Sequence, residues 1–233
     1  MKQINENGRS MVEMLGVLAI IGVLSVGGIA GYSKAMNKYK INKTTDQVSM
    51  LVANIRTLFS SQGDYANLTN TNAIKFGVVP NDMYKTGTGA DGKTITNAFG
   101  GNVTIKYSAA RKGDAAGNEA FIIEYAGLSS EACVTVATGD WGSGQASGLI
   151  GMAAGVNTIA TVEDLGTLGT AIDAIAKKVL IDDDGATDAA AQLVVAQPGS
   201  SVTPTPITVS DAVTACSGGD NSGSSYGVAW KYF

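Results

Sequence analysis

The chain lacks histidine, the side chain that most often acts as a general base or metal ligand, and this absence excludes several classes of active site. None of the 233 residues is histidine. Without histidine the sequence cannot form a Ser-His-Asp triad, a Cys-His nucleophile pair, a histidine general base or a histidine-rich zinc site. The remaining carboxylates and hydroxyls show no spacing that specifies a catalytic centre. We therefore predict no enzyme, no catalytic residues, no cofactor and no metal.

The most acidic segment is a turn whose residues partly match a calcium loop. Asp182 and Asp184 precede Gly185, as at the end of the EF-hand pattern. The first ligand position is Leu180 and the twelfth is Ala191, and neither side chain offers an oxygen. We therefore favour a solvated acidic turn, with a nonstandard calcium site as the alternative.

The charge distribution argues against a nucleic-acid partner and divides the chain into two halves. The net charge of -4 gives no basic footprint. Residues 1–112 hold 13 Lys and Arg against 6 Asp and Glu, whereas residues 113–233 hold 3 against 14. Solvated faces would produce this asymmetry, and so would complementary ends that meet in a polymer.

Glu13 stands at the edge of a long apolar run. Residues 14–33 carry no charge, and twenty helical residues reach about 30 Å, the thickness of a bilayer core. The run is too long for a secretory signal peptide, whose apolar region has roughly 7–15 residues. A plain membrane anchor explains the length of the run, but it leaves the carboxylate of Glu13 unexplained.

Gly8 completes a pattern with Glu13 and the apolar run. A short polar leader ends at Gly8, Glu13 follows five residues later, and the span contains LGVLAIIGVLS. From Gly8 to about Tyr39 this arrangement resembles the signal of type IV prepilins. The resemblance implies that prepilin peptidase in the inner membrane cuts between Gly8 and Arg9 and N-methylates Arg9.

The same resemblance implies an assembly role for Glu13. When apolar helices pack together in a filament, a buried carboxylate needs a partner of opposite charge. The newly exposed α-amine of a neighbouring subunit would supply that charge. We therefore expect the Glu13–amine pair to fix the axial register of the subunits.

Hydrophobic periodicity predicts an α+β fold behind the span. No proline occurs before Pro80, so one helix can run from about residue 10 to residue 62, with an apolar stripe along its second half. Residues 102–108 and 120–126 predict an antiparallel hairpin. The other predictions are a helix at 170–180, either a helix or a strand at 130–138, a short helix capped by Ser210 or Asp211 and ending near Cys216, and a last strand at 226–233.

Cys133 and Cys216 are the only cysteines. They could be two buried free thiols, but in an exported chain an even count favours a disulfide. The segments around them, AGLSSEAC and AVTACSGGDNSGSSYGVAW, resemble the corresponding parts of type IVb pilins. In that family the disulfide delimits a large C-terminal region of the head.

These observations predict three domains. Residues 1–8 are a prepilin leader, and residues 9–62 form the N-terminal helix. The assembly half of this helix covers about 11–33, and its amphipathic half covers about 34–62. Residues 63–233 form a head with an antiparallel sheet, further helices and a disulfide-bounded region at 133–216.

The resemblance implies a structural subunit of a type IV pilus, and the type IVb class fits best. Its partners would be further copies in a helical filament, the prepilin peptidase and the pilus assembly machinery of the inner membrane. It would start as a single-pass membrane protein with its head outside and end in an extracellular pilus. The alternatives are a minor pilin, a type II secretion pseudopilin or a membrane-anchored adhesive protein.

The basic residues around the span conflict with this orientation. Lys2 and Arg9 precede the span, whereas four lysines follow it, at positions 34, 38, 40 and 43. The positive-inside rule would place the lysines in the cytoplasm. We override the rule because both the cysteines and the family resemblance place the head outside.

Overall fold

The computed structural model describes residues 11–109, 117–141, 148–155, 179–181, 187–194, 207–217 and 226–233. The chain divides into two units, Met1–Lys40 and Ile41–Phe233. The first helix, α1 (Met11–Phe59), contributes residues to both units. It confirms the predicted long helix, which ends three residues earlier than expected.

The described part of the first unit is entirely helical. Two hydroxyls inside its apolar run are satisfied within the helix, because Ser25 Oγ donates to the Ile21 carbonyl (2.7 Å) and Ser33 Oγ donates to the Ile29 carbonyl (3.0 Å). Both side chains therefore enter an apolar environment without an unpaired polar atom. Among the described residues, only α1 is long and apolar enough to cross a membrane.

The second unit begins with the amphipathic half of α1. Its buried residues recur every three or four positions, so they form one stripe: Ile41, Thr44, Gln47, Val48, Leu51, Val52, Ile55 and Phe59. The apolar members of this stripe share one core with alternate residues of the main sheet, such as Phe121, Ile123 and Trp230. The predicted stripe is therefore confirmed as core packing.

Short helices and strands make up the rest of the described head. The helices are α2 (Asn70–Phe76), α3 (Ser130–Ala137) and α4 (Val209–Ser217). The strands are β1 (Tyr84–Thr86), β2 (Lys93–Ile95), β3 (Val103–Ser108), β4 (Ala120–Leu128), β5 (Leu149–Gly155), β6 (Val179–Ile181), β7 (Thr187–Val194) and β8 (Tyr226–Tyr232).

The main sheet is antiparallel, with the order β3-β4-β8-β5-β7-β6. Its last strand in sequence, β8, lies inside the sheet between β4 and β5. Both faces of β8 are covered, because neighbouring residues Ala229 and Trp230 are both fully buried although they point to opposite faces. The C-terminal strand thus joins the two sides of the sheet.

The free edge of β3 is covered by the segment that enters α2. Asn70 Oδ1 accepts a hydrogen bond from the Ile105 amide, and its Nδ2 donates to the Val103 carbonyl (2.9 Å). The Tyr107 amide donates to the Leu68 carbonyl (2.9 Å). One asparagine side chain therefore replaces part of a pairing strand, and the edge of β3 cannot readily recruit another chain.

Asn97 closes the turn between the β1–β2 hairpin and β3. Its Oδ1 accepts from the Phe99 amide (2.9 Å) and the Gly101 amide (3.1 Å), and its Nδ2 donates to the Ala126 carbonyl (2.7 Å). A Cβ on Gly101 would lie 1.9 Å from that carbonyl oxygen. The turn can therefore press against β4 only because residue 101 has no side chain.

The structure confirms most of the predicted elements and resolves one ambiguity. β3 and β4 form the expected hairpin, although β4 continues to Leu128. Residues 130–137 are helical because the Ser129 hydroxyl accepts from the Ala132 amide (3.3 Å) and caps the helix. The sequence did not predict β5, whose residues are all buried, because a strand covered on both faces lacks alternation.

Two details of the prediction were wrong. Val179, assigned to a helix at 170–180, begins strand β6, while 170–178 lies outside the described residues. The cap of α4 is Thr208, whose hydroxyl accepts from the Asp211 amide (3.1 Å). Ser210 and Asp211 instead occupy the first turn of α4, because the helix already begins at Val209.

The two cysteines form a disulfide that joins α3 to α4. The Cα atoms of Cys133 and Cys216 are 5.9 Å apart, and 83 positions separate them in sequence. Both residues are fully buried in the main core. The bridge therefore closes a long loop inside the head, as the fold class predicted.

Replacing both cysteines, Cys133→Ser and Cys216→Ser, should lower the free energy of unfolding of the head by about 2–5 kcal/mol, because the unfolded chain regains the entropy of a long loop. Urea unfolding of the full chain in detergent, followed by tryptophan fluorescence, measures the change. The wild type with reductant is the matched control and should behave like the double variant. A loss below about 1 kcal/mol would contradict the prediction.

Asn97→Ala should destabilise the head by about 3 kcal/mol, because three main-chain groups lose their buried partner. The same urea titration measures the effect. Asn42→Ala, at an exposed position of α1, is the control and should change stability by no more than about 0.5 kcal/mol. Equal effects of the two substitutions would show that the Asn97 hydrogen bonds do not support the turn.

Candidate functional site

The surface of α1 in the first unit is apolar and open. Every residue from 11 to 35 is exposed. The large apolar side chains among them are 51–86% exposed: Met11, Val12, Met14, Leu15, Val17, Leu18, Ile20, Ile21, Val23, Leu24, Val26 and Ile29. An apolar surface of this extent marks a site that contacts lipid or another protein.

This surface has no polar side. Between residues 14 and 33 the helix carries no charged residue on any face, whereas a helix that rests on a soluble core keeps one charged face in water. A helix that is apolar all round must be surrounded, either by lipid or by other helices. The first unit is therefore the candidate functional site.

Glu13 lies in the first turn of α1 and is exposed. Its negative charge favours the helix, because the amino end of a helix carries partial positive charge. Gly8 and Arg9 lie outside the described residues. The predicted cleavage after Gly8, the methylation of Arg9 and the assembly role of Glu13 therefore stay predictions.

In the second unit, a polar clamp holds the 78–83 segment to α1. Asp82 Oδ2 accepts from Gln47 Nε2 (2.9 Å) and pairs with Lys43 Nζ (3.0 Å). Asn54 Nδ2 donates to the Val78 carbonyl (2.8 Å). Burial raises the pKa of Asp82, but the hydrogen bonds from Gln47 and Lys43 outweigh it, so the pKa lies below its usual value. Asp82 is therefore charged at neutral pH.

A second clamp joins α1 to the end of β8. Arg56 Nε donates to the main-chain oxygen of Phe233 (3.1 Å), and the guanidinium lies 5.1 Å from the centre of the Tyr232 ring. Burial raises the pKa of Tyr232 to about 12, although the positive charge of Arg56 opposes the shift. The phenol therefore stays neutral, and the contact is a cation over an aromatic face.

Sequence reasoning did not identify these clamps. Lys43 stands out in the sequence only as one of four lysines after the span, and no sequence pattern distinguishes Arg56 or Asp82. The hydrogen bonds to Asp82 and Phe233 connect residues 35 and 177 positions apart, so no local periodicity could reveal them.

The other sequence candidates hold the core or fall outside the described residues. Trp141 and Trp230, which could by residue type serve as ligand platforms, instead pack in the core: Trp230 is fully buried, and the ring centre of the partly buried Trp141 lies 4.8 Å from its own. Asp182, Asp184 and Gly185 lie outside the described residues. Within the described part of the chain, no group of three or more Cys, Asp or Glu residues could hold a metal ion.

A family model and several curated relatives match this chain. The model described as PilS N terminal matches residues 38–183. The major structural subunits of the bundle-forming pilus from Escherichia coli O111:H- and O127:H6 are each 30% identical over 76% of this chain and 83% of the relative. The toxin coregulated pilin of Vibrio cholerae is 26% identical over 59% of each chain.

Two solved structures are also similar to this chain. The type IVb pilin from Salmonella typhi is 16% identical and aligns with a TM-score of 0.47 over 82% of this chain and 97% of the other. A type IV pilin from the El Tor biotype of Vibrio cholerae is 18% identical, with a TM-score of 0.48 over 84% of this chain and 99% of the other.

The family match covers more than half of the chain, and the E. coli relatives align along most of their own length. Both point to the same class as the exposed apolar helix and the disulfide-linked head. The chain therefore belongs to the type IVb pilins, a family of structural pilus subunits.

Proposed function

We propose that this chain is made as a prepilin in the inner membrane with its head outside, is cut after Gly8 and polymerises through α1 into an extracellular type IVb pilus. The observation that carries the proposal is the exposed surface of residues 11–33, which has no charge beyond Glu13. This surface suits a bilayer before assembly and a bundle of identical helices after it.

The hydrophobic effect favours α1 both in the bilayer and in a bundle of helices. Lipid and neighbouring apolar helices remove the side chains from water equally well, so passage between them costs little hydrophobic free energy. What changes is the fate of the few polar groups. The Ser25 and Ser33 hydroxyls already have partners inside the helix, and Glu13 is the one charged residue of this stretch, so its carboxylate needs a new partner in the filament.

Cleavage after Gly8 would create that partner. A new α-amine at Arg9 would lie four residues before Glu13, and in a staggered bundle the amine of one subunit would reach the carboxylate of the next. Removing one member of a buried ion pair costs about 3–5 kcal/mol, because the other charge stays uncompensated. The pair would therefore select one stagger among many similar apolar contacts.

The relatives support a major, self-polymerising subunit. The E. coli proteins are major structural subunits of the bundle-forming pilus, and alignment along most of their length supports the same role here. We further propose that the prepilin peptidase and an inner-membrane assembly machinery act on this chain. Because these partners would carry out cleavage and assembly, the subunit itself would need no catalytic residue.

Replacing Gly8 should block processing. In wild-type cells we expect sheared filaments to contain chains that begin at Arg9, with a mass excess of one methyl group. In Gly8→Leu the bulky side chain should exclude the peptidase, so the chain keeps residues 1–8 and stays in the membrane. Intact mass and N-terminal sequencing of both fractions measure the result.

Gln3→Ala is the matched control in the same leader and should be processed like the wild type. Filaments built from uncut chains, or a Gly8→Leu chain that is cut normally, would overturn the proposed processing site. A chain that begins at Arg9 but lacks the methyl group would overturn only the methylation.

Replacing Glu13 should separate processing from assembly. We expect Glu13→Gln to be cut after Gly8 normally but to yield at least about 100-fold less filament, which corresponds to the loss of a buried partner. The measurement compares processed chain in membranes with chain in sheared filaments. Asp46→Asn, which removes an exposed carboxylate from the other half of α1, should leave the yield unchanged. A wild-type filament yield in Glu13→Gln would refute the pairing.

A further inference from the structure

Two lysines and two tyrosines stand where the apolar run of α1 ends. Lys34 and Lys38 are exposed, and Tyr32 and Tyr39 are 68% and 59% exposed. Tyr32, Lys34, Lys38 and Tyr39 are called here the basic collar. Amphipathic tyrosine rings and long-stemmed lysines are the residues that settle at a membrane–water interface.

The collar lies at the depth that a bilayer surface would require. Glu13 and Lys34 enclose the uncharged stretch and are 21 residues apart. At a rise of 1.5 Å per residue, this spacing corresponds to about 32 Å, close to the thickness of a bilayer core of about 30 Å. With Glu13 at one surface, the collar therefore sits at the opposite surface.

The collar also faces more than one direction. At about 100° per residue, the two lysines share one side of the helix, and the two tyrosines share another side about 130° away. A single packed helix covers only a stripe of its neighbour. A headgroup layer surrounds the helix and contacts both sides at once.

The charge of the collar is not balanced by neighbouring residues in the sequence. No Asp or Glu occurs between Glu13 and Asp46, while four lysines do. With the head outside, Lys34 and Lys38 of the collar oppose the positive-inside rule, and an attractive interaction on the outer side would offset this bias. We propose that the basic collar binds the phosphate groups of anionic phospholipids in the outer leaflet of the inner membrane and holds the prepilin at a fixed depth before assembly.

The chemistry of the collar fits this occupant. An ammonium group is a compact charge with three donors, and it pairs with a phosphate oxygen without a fixed direction. Each lysine near an anionic surface improves binding about fivefold. The tyrosine rings lie at the level of the glycerol groups with their hydroxyls in water. The assignment to the outer leaflet rests on the proposed function, which places the head outside. The binding of anionic lipid by the collar does not depend on it.

Lipid selectivity of the full chain tests the proposal. The protein is reconstituted in phosphatidylcholine vesicles with a trace of spin-labelled phosphatidylglycerol or spin-labelled phosphatidylcholine. Electron paramagnetic resonance then gives the fraction of each label that is immobilised by the protein. We expect the wild type to prefer phosphatidylglycerol about threefold, since several boundary lipids dilute the effect of the collar.

Lys34→Gln with Lys38→Gln should remove most of this preference, whereas Lys34→Arg with Lys38→Arg should keep it. Lys75→Gln with Lys85→Gln, which removes the same charge from exposed positions of the head, is the matched control and should keep it too. Raising NaCl from 0.1 M to 1 M shortens the screening length from about 10 Å to about 3 Å and should weaken the wild-type preference.

Equal retention of both lipids by the wild type would overturn the proposal. An unchanged preference in the glutamine variant would overturn it as well. If that variant kept its lipid preference but lost filaments, the collar would instead bind a neighbouring subunit. The vesicles contain no peptidase and form no pilus, so their result is independent of Gly8 cleavage, and failure of the proposed function would appear only in the processing experiments.

Discussion

The uncharged surface of α1 must leave water, and the rest of the molecule is arranged around that requirement. A dozen large apolar side chains are at least half exposed between residues 11 and 29. At roughly 1.5–3 kcal/mol for each buried side chain, their transfer from water is worth on the order of 20 kcal/mol. A folded domain is stable by only about 5–15 kcal/mol. The free energy of removing α1 from water is therefore at least as large as the folding free energy of a typical domain, and it keeps the chain in lipid or in a helix bundle.

The two halves of α1 meet different demands with different side chains. Between Met14 and Ser33 the helix is uncharged, and the Ser25 and Ser33 hydroxyls are bonded within it, so its apolar side chains suit lipid and other apolar helices alike. From Ile41 onward the buried stripe and the clamps at Asp82 and Arg56 attach the helix to a particular head. Apolar contacts do not depend on direction, whereas the hydrogen bonds of Asp82 and Arg56 form only in one relative position of helix and head. Apolar burial supplies most of the free energy, and the polar clamps select the register.

The head depends on contacts between residues that are far apart in sequence. The β3–β4 hairpin is local, but β8 can pair only after the end of the chain has returned to β4 and β5. Such pairing carries a large loop-closure entropy cost and slows folding. The disulfide between α3 and α4 shortens the same path by closing an 83-residue separation. The disulfide ties α4 to α3, and β8 ties the end of the chain to β4 and β5, so both features hold the distant C-terminal segment in the head.

The sequence by itself determined the length of α1, its uncharged half, its amphipathic stripe, the β3–β4 hairpin and the two cysteines that could pair. These features follow from local periodicity and composition, which act within a few residues. Only the tertiary structure decided that β8 is a central strand, that β5 belongs to the sheet, that Thr208 caps α4, and that Asp82 and Arg56 clamp the head. The buried strand β5 has no alternation, and the clamps join residues up to 177 positions apart. The energies of these contacts depend on which distant groups the fold brings together, and local sequence patterns carry no signal for that.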